Sequence, residues 1–313
     1  MEFFLGIDMG GLGIKIAVVD IKGHIIDAVS FPTDITKEPQ DIIKRINDEA
    51  QKLKNYSKVK YIGFGTAGDV DSKKGILRYA YNLPKWKKTP IKTLLQTYSK
   101  RTVFVDNDAN AASLGAFYLD TKTKAKNLVC VTLGTGIGGG LILDKKLYRG
   151  SSFSAGEIGH ITIKYDGLAC NCGNIGCAES YLGAKNIMKF AADFLKNRKS
   201  KMLYDLTDGD YSKITPKILF DAALRKDETA LQIWKYAGDK LGILLASVIN
   251  IVNPDTIVLC GGLSLASKFL TPSMKTAIKN RSFKAPQKIC KIIFSKYSDK
   301  LGVVGAAMFA VQK

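Results

Sequence analysis

A chain of 313 residues is long enough for two domains of ordinary size, and 46 % hydrophobic with 24 % charged residues is a soluble globular composition. No run reaches the roughly 18 apolar residues of a membrane span, and "LGILLASVINIVN" at 241–253 reads as a buried helix instead. The formal net charge of +19 raises nucleic acid as a partner, but the lysines are spread through "SKVKY", "LPKWKK" and "TKTKAKN", where turns or solvated helix faces are expected, so such a partner is disfavoured.

The N-terminus "MEFFLGIDMG" has no basic region followed by an apolar stretch, so no signal peptide is expected and the expected location is the cytoplasm. The next thirty residues read as three strands joined by tight turns: an apolar run, a glycine turn, "IKIAVVD", the turn "IKG", then "HIIDAVS". A helix is predicted at about 37–54 from the helical spacing of Ile42, Ile43, Ile46, Ala50 and Leu53. "VKYIGFG" and "RTVFVDND" are further strands, the second running into a helix at about 108–118. The strand–glycine-turn–strand pattern then recurs in "NLVCVTLGTGIGGGLILDKKLYRG", which suggests a duplicated domain. Helical territory follows at about 178–197 and 215–251, then the strand "DTIVLCGG", a helix, the strand "KIIFS" and the helix "LGVVGAAMFAV". Strands alternating with helices indicate an α/β architecture, with a hinge expected near 118–127.

"LGTGIGGG" at 133–140 contains the spacing G-x-G-x-x-G, but a dinucleotide loop must open into a helix, and this one runs into the strand "LILD". A glycine-rich hairpin tip can still cradle phosphate, because successive backbone N–H groups converge on one anion. "DMGG" at 8–11 is a second such tip. "CNCGNIGCAES" from Cys170 places three of the six cysteines in one glycine-rich loop, spaced C-x-C-x4-C. In a reducing compartment this clustering points to a metal more than to a disulfide.

Taken in order, "GIDMGG…K", "YNLPKW", "VDNDANAASLG", "VTLGTGIGGG", "AGEIGH", "CNCGNIGCAE" and "VLCGG" resemble the successive signatures of the ROK family (repressors, uncharacterised reading frames and sugar kinases). The resemblance covers nearly the whole chain and is most specific over 105–179. It implies a duplicated actin-like, ribonuclease H-like α/β fold in two lobes, with ATP and a hexose in the cleft between them. The small lobe would comprise 1–118 with about 299–313, and the large lobe 119–298. The implied reaction is transfer of the ATP γ-phosphoryl to a sugar hydroxyl, usually that on carbon six, of glucose or a close relative such as an N-acetylated amino sugar.

Roles carry over by matching positions. Asp108 matches the catalytic aspartate that accepts the proton of the attacking hydroxyl, while Asp106 is expected to do no more than cap the following helix. Asn82, Asn107, Glu157, His160 and Glu179 match sugar contacts. Asp8, Gly10, Gly11 and Lys15 match the first phosphate loop, with Asp8 near Mg²⁺; Gly134, Thr135 and Gly136 match the second, and Gly261 and Gly262 lie near the nucleoside. His160, Cys170, Cys172 and Cys177 match the ligands of one structural zinc, and three thiolates with one imidazole make a closed tetrahedral site. Family analogy also offers a homodimer.

Two positions depart from the family's pattern. Leu12 stands where D-x-G-G-T has its threonine, and Ala67 where G-x-P-G has its proline. They keep open an alternative: a sugar-sensing regulatory protein of weak or no kinase activity and without a DNA-binding domain. Retention of Asp108 argues for catalysis.

Overall fold

The computed structural model describes residues 2–312. The first part of the chain forms β1 (Phe3–Met9), β2 (Gly13–Asp20), β3 (Ile25–Pro32), α1 (Pro39–Gln51), β4 (Val59–Thr66), the short hairpin β5 (Asp69–Asp71) and β6 (Ile76–Tyr79), α2 (Ile91–Ser99), β7 (Thr102–Asn107) and α3 (Asp108–Leu119). Five of these strands make a sheet ordered β3-β2-β1-β4-β7, antiparallel from β3 to β1 and parallel from β1 to β7. β1 and β4 are central and buried on both faces, so they read as apolar runs, whereas the edge strand β3 alternates half-buried and exposed residues from Asp27 on.

The pattern repeats in β8 (Leu128–Leu133), β9 (Ile137–Leu143) and β10 (Lys146–Tyr148). Five helices follow: α4 (Glu179–Leu182), α5 (Ala184–Asn197), α6 (Lys201–Leu206), α7 (Pro216–Leu224) and α8 (Glu228–Val252). The chain ends with β11 (Thr256–Cys260), α9 (Ser267–Arg281), α10 (Lys284–Ile289), β12 (Lys291–Phe294) and α11 (Leu301–Met308). The second sheet is ordered β10-β9-β8-β11-β12. Both sheets thus run third-second-first-fourth-fifth in order of appearance, which bears out the duplication expected from the two glycine hairpins.

Two helical stretches are broken where the sequence reading runs them on. Gly183 separates α4 from α5, and α7 is parted from α8 at Asp227, whose carboxylate caps α8 by accepting the Ala230 N–H at 2.8 Å. Among the described residues no helix is long and apolar enough to cross a membrane.

The chain divides into two compact units, one of residues 1–130, 139–156 and 295–313, the other of 131–138 and 157–294. The segments 119–130 and 139–156, read from sequence as large-lobe residues, fall in the first unit. Part of the reason is that Gly140 of β9 lies so close to α3 that a methyl there would overlap Ser113 Oγ. One face of the first sheet packs on α1 and α2 through Ile7, Ile14, Phe64, Ile43 and Leu95. Against the sheet and α3 lies α11, brought unusually near by glycine. Added methyls at Gly6, Gly63 and Gly115 would overlap the carbonyl oxygens of Val303, Ala306 and Leu301, and one at Gly305 would overlap that of Ala111. In the second unit Gly238 and Gly242 of α8 also lie close to Leu270 and Met274 of α9, though less tightly.

Candidate functional site

In the first unit the tip between β1 and β2 is closed by the Gly10 N–H donating to Gly13 O at 3.0 Å. Thr33 fixes the tip from outside, its hydroxyl donating to Gly10 O at 2.7 Å and its N–H to Leu12 O at 3.3 Å. With its backbone held, Leu12 projects its side chain outward, 91 % exposed. Asn82 packs under the tip, for a methyl on Gly11 would lie 3.0 Å from Asn82 Cβ. A cavity of about 490 Å³ runs along the hairpin, lined by Asp8, Gly10, Leu12, Lys15, Ser30 and Phe31.

Asp8, at the end of β1, faces the first turn of α11, where a methyl on Gly302 would strike its carboxylate. Burial, and then the charge of Asp108, push Asp8 up to about 6, against the pull of Lys15. Lys15 Nζ is itself held by Asp299 O at 2.8 Å. Burial likewise raises Asp108 above the usual carboxylate range, opposed by the N–H of Ala109, from which it accepts at 2.8 Å. Two carboxylates that are partly withdrawn from water and repel each other form a place where a cation or a proton is at a premium.

The turn from β7 into α3 corrects the expectation for Asp106. The cap of α3 is Asn107, whose Oδ1 accepts the N–H of Ala109 at 2.7 Å and of Asn110 at 3.4 Å, while its Nδ2 donates to Gly68 O at 3.0 Å. Asp106 lies one residue too early to cap. It is buried and pairs with Arg149 at 2.6 Å. The Ala67 departure has a local use as well: the Ala67 N–H donates to Met9 O at 3.3 Å, a bond that a proline could not make.

In the second unit the tip between β8 and β9 is closed by the Gly134 N–H on Gly136 O at 3.0 Å and tied to α5 by the Ala184 N–H on Gly134 O at 2.9 Å. Glu179 Oε2 accepts the N–H of Ile137 at 2.9 Å, and its carboxylate sits where a methyl on Gly136 would go. Thr135 is exposed at the tip. Gly261 takes a left-handed φ of +92° against the backbone of Leu133, bringing the end of β11 beside the same hairpin. A largely apolar cavity of about 670 Å³ opens there, lined by Gly134, Thr135, Phe220, Trp234, Gly262 and Leu263.

The same unit gathers His160, Cys170, Cys172 and Cys177, with one donor atom from each lying within 4.8 Å of the others. Cys170 Sγ is 3.7 Å from His160 Nδ1, and Cys172 Sγ is 3.7 Å from Cys177 Sγ. The loop is folded by its glycines: Gly173 and Gly176 have φ of +94° and +78°, and the Cys170 N–H donates to Asn174 O at 2.8 Å. Burial works against ionisation of the Cys170 thiol, but the N–H of Cys172 and neighbouring hydroxyl, thiol and imidazole groups bring it down to about 7. Burial and the adjacent sulfurs push Cys177 up to about 12. Three sulfurs and an imidazole at such spacing are a donor set suited to a cation, and these four residues could hold a metal ion. The other imidazole nitrogen, His160 Nε2, lies 4.0 Å from Glu157 Oε2, so the ring links the cluster to a carboxylate three residues away.

All the residues singled out from the sequence thus fall into local groups within the two units. The partnerships of Asp106 with Arg149 and of Glu179 with Ile137 were missed, since neither pair is close in sequence.

The ROK family's sequence profile matches residues 4–313, nearly the whole of the chain. The chain belongs to the ROK family. It is 31 % identical over 303 residues to a glucokinase of Thermotoga maritima, covering 97 % of this chain and 95 % of the relative. It is also 30 % identical over 250 residues to a xylose repressor of Caldicellulosiruptor bescii, covering 80 % of this chain and 62 % of the repressor. Among solved structures it matches a ROK glucokinase of Streptomyces griseus in complex with glucose and AMPPNP, with a TM-score of 0.85, 29 % identity and coverage of 99 % of this chain and 100 % of that one. The fold is therefore the actin-like ATPase fold of the ROK kinases.

Proposed function

We propose that this ROK protein transfers the γ-phosphoryl group of ATP to a hydroxyl of a hexose, the 6-hydroxyl of glucose or of a close relative such as an N-acetylhexosamine. Its enzyme class, a sugar kinase, is that of the glucokinases it matches over 95–98 % of their length. The observation that carries the reading is the Asp8–Asp108 pair beside a glycine hairpin. Asp108 is held at the N-terminus of a helix, with its proton affinity raised towards what a general base needs near neutral pH. Asp108 takes the proton of the sugar hydroxyl as that oxygen bonds to phosphorus, and the bond from phosphorus to the β-phosphate oxygen breaks to release ADP. Such a transfer depends chiefly on positioning and charge stabilisation.

The proposed sugar contacts are Asn82, Asn107, Glu157, His160 and Glu179. The proposed phosphate contacts are Gly10, Gly11 and Lys15 with Gly134, Thr135 and Gly136, while Gly261 and Gly262 border the apolar cavity suited to a nucleoside. Asp8 would hold the Mg²⁺ of the nucleotide, which supplies neutralisation of phosphate charge. The fit lies in its carboxylate, pushed up to about 6 by burial and by Asp108.

For the cysteine cluster the reading is a structural zinc on His160, Cys170, Cys172 and Cys177. A zinc tetrahedron with Zn–S bonds of about 2.3 Å has sulfur–sulfur edges of about 3.8 Å, and Cys172 and Cys177 stand 3.7 Å apart. All four positions are filled by protein, so the ion would stiffen the turn bearing Glu157 and His160 and take no part in the chemistry. Cytoplasmic location and a homodimer remain part of the proposal by family analogy.

The repressor relative and the exposed Leu12 favour a second reading, a sugar sensor of weak or no kinase activity. An ADP-release assay with Mg-ATP against glucose, mannose, fructose, allose, N-acetylglucosamine and N-acetylmannosamine separates the two. Turnover with one sugar, lost in Asp108→Asn, establishes the kinase. Saturable sugar binding without turnover establishes the sensor.

A further inference from the structure

The segment between β10 and Glu157 is fastened at more points than a connecting loop requires. Arg149 Nε pairs with Asp106 Oδ2 at 2.6 Å, Asp106 being 1 % and Arg149 26 % exposed. Arg78 on β6 donates to Ser152 O at 3.2 Å and pairs with Asp69 at 2.9 Å. Ser154 Oγ donates to that same Asp69 oxygen at 3.1 Å. The segment closes on itself through the Ala155 N–H on Arg149 O at 3.0 Å, and Gly156, with φ of +93°, lies too close to Gly139 to carry a side chain.

The other end of the chief tie is the turn that bears Asp108. With Oδ1, Asp106 accepts both the Asn107 N–H and Asn110 Nδ2 at 2.8 Å; with Oδ2 it holds Arg149. One buried carboxylate therefore anchors the base-bearing turn on one side and the 149–156 segment on the other. The desolvation cost of a largely buried ion pair offsets much of its attraction, so stability alone is a poor reason to keep one. Its fixed geometry is what it supplies: an arginine fork has directions that a point cation lacks.

We propose that Asp106 and Arg149 are positioning residues of the kinase reaction, which together set the turn that carries Asp108 and the segment that leads into Glu157. The proposal rests on the kinase reading above. Arg149 acts through the segment and so on sugar binding. Asp106 acts on both the segment and the base.

The test is two-substrate steady-state kinetics with glucose and Mg-ATP, together with glucose binding by calorimetry, on folded Arg149→Met, Asp106→Ala and the double variant Arg149→Met/Asp106→Asn. In Arg149→Met the KM and Kd for glucose are expected to rise at least tenfold. The KM for ATP stays within about twofold and kcat within about threefold, because Asp106 still holds Asn107 and Asn110. Asp106→Ala is expected to lose kcat as well, at least tenfold. The double variant leaves no lone buried carboxylate, so it measures the tie even if Arg149→Met does not fold; its glucose KM is expected to stay high. A glucose KM and Kd within twofold of wild type in the double variant, in a protein that phosphorylates glucose, overturns the inference and leaves the kinase reading intact. Where the wild type acts on another of the six sugars above, that sugar replaces glucose throughout. Wild-type protein that binds one of them and turns over none removes the kinase reading, and with it a role in the reaction for either residue. Wild-type protein that neither binds nor phosphorylates any of the six likewise overturns both.

Discussion

Glu179 Oε2 accepts a hydrogen bond from the backbone N–H of Ile137 at 2.9 Å, so a carboxylate proposed to hold the sugar also holds the hairpin proposed to hold phosphate. Its own main chain is fixed in turn by Asn186 Nδ2, which donates to Glu179 O at 2.8 Å. A group that touched only sugar would change the KM for sugar alone. Glu179→Ala is instead expected to raise the KM for both the hexose and ATP, each roughly 10- to 100-fold, the range of a lost charge-assisted hydrogen bond. An ATP KM left at the wild-type value would show that the hairpin does not need this bond.

Removing the proposed base separates binding from chemistry. Asp108→Asn should lower kcat by about 10²–10⁴-fold while the hexose Kd stays within about threefold. In the wild type, activity should be lost as the pH falls through the raised range of Asp108 and of Asp8 at about 6, because both act as carboxylates. A rate that is flat from pH 7 down to pH 4.5 would contradict this.

Asp8 should cost stability where it is ionised. Its folded value of about 6 lies above the ordinary 3.8, so its favourable contribution is complete below pH 3.8 and is lost as the pH rises through about 6. That gap corresponds to about 3 kcal/mol, an upper bound for one group in a coupled pair. Asp8→Asn is expected to be inactive yet more stable than wild type in urea melts at pH 7.5, with the advantage shrinking towards pH 4. A variant less stable than wild type at both pH values would refute the assignment of strain to Asp8.

The cysteine cluster predicts about one equivalent of zinc in the folded protein by elemental analysis. Cys177→Ser or a strong chelator should lower both zinc content and Tm, and should weaken hexose binding through the turn that carries Glu157. Zinc-free protein with unchanged Tm and sugar affinity would dismiss a structural metal.

Leu12→Thr tests the departure at the hairpin tip. The side chain is 91 % exposed, so stability should not change, while a restored hydroxyl near the phosphates is worth about 1 kcal/mol, or roughly fivefold in kcat/KM for ATP. If wild type is inactive and Leu12→Thr turns over sugar, then Leu12 is what makes the chain a sensor. No change in an active enzyme would mean that this position touches nothing in the reaction.

The longer strands and the doubled glycine hairpins were legible, because each is written in local periodicity or short spacing, whereas β5, β6 and β10, of three or four residues, were not. The cysteines cluster in the sequence itself, but only the family resemblance joined His160 to them. The helix breaks at Gly183 and Asp227 were not, since both lie between apolar stretches of helical period. Asp106 was misread as a cap because acidic residues before a helix usually are caps, whereas its partner Arg149 is 43 positions away in the chain. Nothing local marks Gly305; only the position of Ala111 explains it.

The glycine-lined seat of α11 has a consequence for biosynthesis. The second unit draws on no residue after 294, whereas the first joins 295–313 to segments far before them. In a chain made from its N-terminus, Gly6, Gly63 and Gly115 face an unfilled groove until α11 has been made. The first unit therefore closes later than the second, and Asp8 gains the neighbouring turn at Gly302 only then. A nascent chain stalled short of residue 295 would carry a finished cysteine loop and an unfinished catalytic half.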